Sequence, residues 1–103
     1  MTYRVIIEPT AERSIREAVR WISRRKSPLA AAKWFNALEK KIRTLRTLPG
    51  RCPLAAEDDK FPEEIRELLH GRQRQKYRVL FTIRQDEVHV LFVRHGAQDE
   101  IGP

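Results

Sequence analysis

The chain has 103 residues, with 21 Lys and Arg against 14 Asp and Glu, which gives a formal net charge of +7. This length fits one domain over residues 1–103, and apolar residues recur too regularly for a disordered chain. No apolar run approaches the ~20 residues of a transmembrane helix, and the apolar stretch near the N-terminus is too short for a secretory signal. We therefore expect a cytoplasmic protein without a membrane contact.

The sequence contains few residues that could bind a metal or a cofactor. Cys52 is the only cysteine, which excludes an internal disulfide and any site built from several thiolates, so we expect a free thiol. The three histidines lack the spacing of a zinc site, and Glu57-Asp58-Asp59 is more typical of a solvated loop than of a metal site. No glycine-rich phosphate loop is present. We expect neither a metal nor a cofactor.

The positive charge is concentrated in two separate parts of the sequence. Basic side chains dominate residues 11–50 and residues 72–84, and an acidic stretch from residue 57 to residue 67 lies between them. Such an excess indicates a polyanionic partner, which could be nucleic acid, the ribosome or an acidic protein segment. Two basic zones suggest two surfaces with different tasks.

The first half of the chain predicts a strand followed by a helical hairpin. Residues 3–7 are rich in aromatic and β-branched side chains, as expected of a short strand. Apolar residues at helical spacing predict a first helix from Thr10, as its N-cap, to about Lys26. Ser27-Pro28 suits the cap and first turn of a second helix, which we expect to end at Pro49-Gly50. Helices joined by so short a link should lie antiparallel.

The second half predicts a loop and three strands. Residues 51–62 show no periodicity, residues 65–69 form a weak strand, and residues 77–83 alternate strongly. Gln85-Asp86 is a tight connection to residues 88–93, which are almost continuously apolar, as in a central strand. The order βααβββ predicts an α+β fold in which the helices pack on one face of a small sheet.

A two-residue turn at Gln85-Asp86 fixes the alignment of the last two strands. Ile83 would then face Val88 and Phe81 would face Val90 on the side that carries the helices. The other side would form an open surface that carries Lys76, Arg78 and His95 beside an apolar pair, Leu80 and Leu91.

Basic groups beside a histidine suit two kinds of chemistry. In metal-free phosphodiester cleavage, cations stabilise developing negative charge and a histidine transfers a proton. Arg78 and His95, assisted by Lys76, are the catalytic candidates. The same cluster also suits plain anion binding, or it is a solvated basic face with His95 at a strand end. The sequence geometry leaves these alternatives open.

The layout and several short motifs together resemble the RelE/ParE toxin superfamily over nearly the whole chain. The matching segments are Glu8-Pro9-Thr10-Ala11, Ser27-Pro28-Leu29-Ala30-Ala31 before Trp34-Phe35, Ile65-Arg66-Glu67-Leu68, Lys76-Tyr77-Arg78-Val79-Leu80-Phe81 and Val90-Leu91-Phe92-Val93-Arg94-His95-Gly96. The resemblance implies the toxin of a type II toxin–antitoxin system, a plasmid-stabilisation type protein that inhibits growth until a small antitoxin binds it in a hetero-oligomer.

Two mechanisms follow from this resemblance. RelE-like members are ribosome-dependent mRNA endonucleases with a metal-free basic site, whereas ParE-like members poison DNA gyrase and lack that site. The long helical hairpin and the Arg94-His95-Gly96 ending favour the ParE-like alternative, so whether the chain is an enzyme stays open. A non-toxic basic adaptor or nucleic-acid-binding domain is the third possibility.

The resemblance also suggests roles for individual residues. Arg78 matches the arginine after tyrosine in RelE-like enzymes, and His95 lies near a catalytic histidine of some relatives. The C-terminal Arg and Tyr of RelE have no counterparts in residues 97–101. The expected target-binding residues are Arg66, Arg72, Arg74 and Arg94. We expect the antitoxin on Leu80, Leu91 and the exposed part of the hairpin.

Overall fold

The computed structural model describes residues 1–71 and 76–96. It contains the strands β1 (Arg4–Ile7), β2 (Arg66–His70), β3 (Tyr77–Arg84) and β4 (Glu87–His95), and the helices α1 (Pro9–Arg25) and α2 (Pro28–Arg43). The predicted α+β fold is confirmed. Three short 3-10 turns, Thr44–Arg46, Pro49–Arg51 and Asp58–Lys60, lie between α2 and β2. In the described part of the chain, no helix has the length and apolar character needed to cross a membrane.

The four strands form one sheet in the order β1-β4-β3-β2, in which β1 runs parallel to β4 and the other neighbours are antiparallel. The helices cover one face. Side chains from α1, α2 and three strands form the main core there, and its fully buried members include Ala11, Leu38, Leu45, Val79, Phe81, Val88 and Val90. Each large apolar side chain buried in this way contributes about 1.5–3 kcal/mol to folding.

The helix boundaries differ from the sequence prediction at two ends. Glu8 rather than Thr10 is the N-cap of α1, because Pro9 suits the first helical position and the Thr10 hydroxyl donates to the Leu91 carbonyl of β4, 2.6 Å away. The second helix ends at Arg43 and not at residue 48. The Thr44 hydroxyl bonds the Lys41 carbonyl at 2.6 Å, and such local bonds compete with helix continuation.

The cap of α2 agrees with the prediction. The Ser27 hydroxyl accepts a hydrogen bond from the Ala30 backbone N–H at 3.0 Å, and Pro28 occupies the first turn. An extended cap residue and a proline together give the chain a sharp turn between two helices. The hairpin is therefore set by the residues of the link itself.

The predicted alignment of β3 and β4 is correct near the turn and wrong beyond it. Arg84 pairs with Glu87 and Phe81 pairs with Val90, as expected, but Leu80 then pairs with Phe92 because a β-bulge adds one residue to β4. Arg78 consequently pairs with Arg94, and Tyr77 with His95. Since successive strand residues point to opposite faces, the bulge moves His95 to the helix side and leaves Arg78 on the other.

The face opposite the helices is not the open surface that the sequence predicted. Residues 52–62 fold over it, held by the Ala55 N–H bond to the Ile65 carbonyl (2.7 Å). Leu80 is only 1% exposed there, in a second apolar cluster with Ala55 and Ile65, and Phe61, Leu91 and Phe92 pack against it. The bulge is favourable because it lets two adjacent residues, Leu91 and Phe92, contact this cluster.

Gln85 in the turn between β3 and β4 has a left-handed backbone, with a φ of 55°. This conformation is unfavourable for a residue with a Cβ, because the Cβ comes too close to the following carbonyl oxygen, whereas glycine adopts it readily. We expect Gln85→Gly to raise the free energy of unfolding by about 0.5–1 kcal/mol, measured by urea denaturation. Gln85→Val should lower it, and a stabilising Val would contradict the prediction.

Candidate functional site

Two carboxylates hold Arg78 on the side of the sheet opposite the helices. Its two terminal nitrogens donate to the two Glu57 carboxylate oxygens at 2.9 and 2.6 Å, and its Nε donates to Glu67 at 2.5 Å. The Arg78 side chain is 12% exposed and the Glu57 side chain is fully buried. Hydrogen bonds that Arg78 donates to Glu57, and then to Glu67, raise the pKa of its guanidinium. The guanidinium is therefore neutralised by two carboxylates within the fold.

The three residues of the predicted catalytic cluster do not form one site. His95 lies on the helix side, where its ring meets the Tyr77 ring edge-on at 5.1 Å between centroids, while Arg78 lies on the opposite side. Lys76 is exposed just before β3, and its backbone carbonyl accepts a bond from Gly96 N–H at 2.7 Å. The expectation of a shared site for Arg78 and His95 is wrong, because the bulge in β4 separates them.

The predicted target-binding arginines have different surroundings. Arg66 donates to the Cys52 carbonyl at 2.6 Å and pairs with Glu64 at 3.3 Å, so it ties the 3-10 segment to β2. Arg94 lies partly buried near the end of β4. Arg72 and Arg74 lie outside the described residues. Whether these arginines bind a target stays a prediction.

The predicted antitoxin residues and the single cysteine can be placed in the same way. Leu80 is buried beneath residues 52–62, so the expectation that it lies on an exposed docking surface is wrong; Leu91 keeps partial exposure. Cys52 is a free thiol, as expected, and it is 5% exposed. Burial raises the pKa of its thiol, which makes it a poor nucleophile.

A cavity of about 410 Å³ lies between α1 and the end of β4; we refer to it as the α1–β4 cavity. The residues that line it and carry rings or polar groups are Ser14, Glu17, Trp21, Tyr77, Arg94 and His95. They come from α1, β3 and β4, and the bulge in β4 decides which β4 residues reach it. The sequence prediction missed this cavity, because Trp21 and Tyr77 are far apart in the chain and were assigned to separate elements.

A second depression, the hairpin groove, runs between α1 and α2 on the outer side of the helical layer. Its apolar lining includes Val19, Ala31 and Phe35, and Arg16 and Arg20 lie along it. Phe35 remains 38% exposed. An exposed apolar groove with a cationic border suits an amphipathic, acidic segment of a partner protein.

His89 fastens β4 to the start of α1. Its Nδ1 lies 2.7 Å from a Glu8 carboxylate oxygen, and its Nε2 lies 2.9 Å from one carboxylate oxygen of Glu87. The other oxygen of Glu87 pairs with Arg4. Ionised carboxylates only accept hydrogen bonds, so both ring nitrogens carry protons and the ring is an imidazolium. The hydrogen bond to Glu8, followed by that to Glu87, raises the pKa of His89. Sequence reasoning missed this cluster, because it did not place β1 beside β4.

Comparison with known proteins assigns the family. Residues 5–100 match the family model described as the ParE toxin of the type II toxin-antitoxin system, parDE. The chain belongs to the ParE toxin family. A solved chain from the chromosomal ParDE TA system of P. aeruginosa has a similar fold, with a TM-score of 0.73 and 13% identity over 91% of this chain and 96% of that one. No curated protein sequence matches the chain.

In this ParE toxin, the charged groups on the side opposite the helices are largely paired with one another. Arg84 forms two bonds of 2.7 Å to Glu63, in addition to the contacts of Arg78 and His89. Within residues 1–71 and 76–96, no group of three His, Cys, Asp or Glu side chains could hold a metal ion. The α1–β4 cavity and the hairpin groove are two places where the described structure offers space to a partner.

The ParE toxin should lose stability at higher pH through His89. Because the folded pKa of His89 is raised, its contribution is fully present below the ordinary value of about 6.5 and is lost as pH rises through the folded pKa. We expect the difference in melting temperature between the wild type and His89→Gln to shrink between about pH 5.5 and 8.5.

The other described titrating histidine with a resolved shift acts in the opposite direction. Burial lowers the pKa of His70, so its contribution is lost as pH falls. A His70→Gln variant is therefore the control. It keeps His89, so its melting temperature should still fall as pH rises, whereas this fall should be smaller in His89→Gln. A pH-independent difference between wild type and His89→Gln would contradict the imidazolium.

Proposed function

We propose that this type II toxin arrests growth by binding DNA gyrase in the cytoplasm and not by cutting mRNA. The main support is the state of Arg78, which two carboxylates hold on the side of the sheet away from His95. A metal-free nuclease needs a cation and a proton donor that act on one phosphodiester. In this fold the cation is already paired and the histidine is elsewhere, which favours action by binding over cleavage.

Two assays on the purified toxin test this proposal in parallel. We expect inhibition of gyrase supercoiling and no cleavage of message in a purified translation system. His95→Ala is the diagnostic variant, because the ring lies at the rim of a cavity and its loss should not disturb the main core. Message cleavage by the wild type that disappears in His95→Ala would overturn the proposal in favour of a RelE-like ribonuclease.

We further propose that the cognate antitoxin covers the hairpin groove. Membership of a toxin–antitoxin family supports an antitoxin partner, and the burial of Leu80 leaves the hairpin as the more accessible of the two predicted docking regions. Phe35 offers an apolar contact, and Arg16 and Arg20 attract acidic side chains. The complex would then be held by apolar burial and oriented by charge.

A further inference from the structure

The α1–β4 cavity brings aromatic rings from different elements together. Trp21, on α1, is 40% exposed, and Tyr77, on β3, is 5% exposed and lies beneath the His95 ring. Proteins hold unpaired bases by stacking them on tryptophan, tyrosine and histidine rings. At about 410 Å³ the cavity has the size of a small-molecule site.

The polar groups of the cavity distinguish a heteroaromatic ligand from an apolar one. Glu17, which also lines the cavity, offers carboxylate oxygens as acceptors. A nucleobase edge carries N–H donors that can bond a carboxylate, whereas a phenylalanine side chain carries none. The lining therefore fits a base better than an apolar side chain.

The charges around the cavity favour a ligand that carries phosphates. The Arg25 guanidinium lies over the Trp21 ring, 5.1 Å from its centroid, and Arg24 occupies the same last turn of α1. Lys76 is exposed at the start of β3, next to the strand end that carries His95. These cations lie near the rim, and the whole chain carries a net charge of +7. Such a surface attracts the phosphate backbone whatever the sequence.

We propose that the α1–β4 cavity binds one unpaired nucleobase of a single-stranded nucleic acid, with the base against Trp21 and its edge toward Glu17. The cations of α1 and Lys76 hold the neighbouring phosphates. This activity is separate from gyrase inhibition and does not rest on it, so either can fail alone. Single-stranded DNA and RNA offer the same base chemistry, and the experiment distinguishes them.

The test compares labelled decamers of DNA and RNA with decamers that lack the central base, by fluorescence anisotropy with the full chain. We expect the intact strand to bind about tenfold more tightly than the abasic strand, since stacking of one base contributes on this scale. Trp21→Ala should remove the difference, and Glu17→Ala should reduce it. The salt dependence should stay similar for both strands, because their phosphates are the same.

Phe35→Ala is the matched control, because this aromatic side chain is also 38% exposed but lies in the hairpin groove. It should keep the preference for the intact strand. Circular dichroism shows whether each variant is folded, and chemical shifts of Val93 and His95 in the wild type on addition of AMP report the site without a mutation. Equal binding of intact and abasic strands would overturn the proposal. The proposal would also fail if N-acetyltyrosine amide changed the chemical shifts of Val93 and His95 while neither strand bound.

Discussion

Arg78→Ala is expected to lower the free energy of unfolding by about 3–5 kcal/mol, the usual cost of removing one member of a buried ion pair. Glu57 is fully buried and would lose both of its bonds to the guanidinium. For a domain of this size, each kcal/mol changes the melting temperature by about 4–8 °C, so calorimetry should show a fall of roughly 12 °C or more.

Two further variants separate this effect from a general loss of charge. Arg43→Ala breaks an exposed pair with Glu39, 3.1 Å apart, and should cost about 0.3–0.5 kcal/mol. Combining Arg78→Met with Glu57→Leu should cost less than Arg78→Ala alone, because no buried charge is left unpaired. If Arg78→Ala costs as little as Arg43→Ala, the guanidinium is not held by the buried carboxylate, and the argument against a nuclease fails.

Phe35→Glu is expected to release the toxin from its antitoxin. A carboxylate in the hairpin groove removes an apolar contact and repels an acidic partner segment, with an expected loss of at least about 2 kcal/mol, or roughly 30-fold in affinity. Cells that express this variant together with the product of the adjacent reading frame should stop growing, while cells with the wild-type pair should grow. Calorimetric titration of the purified pair gives the affinity directly.

Leu54→Glu is the control for the antitoxin prediction. Leu54 is 48% exposed but belongs to the segment that folds over the opposite face of the sheet. This variant should remain neutralised if the antitoxin binds the hairpin groove. The reverse pattern, in which Leu54→Glu or Leu91→Glu escapes and Phe35→Glu does not, would place the antitoxin on the other face.

The periodicity of the sequence was sufficient to predict the order and type of the helices and strands. Helical spacing in α1 and α2 and the alternation in β3 reflect burial of one side, which local sequence records. The end of α2 was misplaced because Leu45 is still buried after the helix has tightened into a 3-10 turn, so the apolar pattern continues past the boundary.

The candidate site depended on contacts that local pattern does not record. Leu91, Phe92 and Val93 are all apolar, so nothing in their order reveals which of them is the extra residue of the bulge. Glu57 belongs to an acidic stretch that we expected to be solvated, yet it is buried against Arg78, 21 positions later in the chain. Such pairings follow from the path of residues 52–62 across the sheet, which has no periodicity to predict it.

The bulge in β4 also bears on how chains of this architecture can differ in chemistry. Because side chains alternate along a strand, one inserted residue moves every later side chain of that strand to the other face of the sheet. Here the inserted residue places the His95 imidazole beside the α1–β4 cavity, on the opposite face of the sheet from the Arg78 guanidinium. Two proteins with the same strand order can therefore differ in which side chains share a face of the sheet, according to whether β4 carries this extra residue.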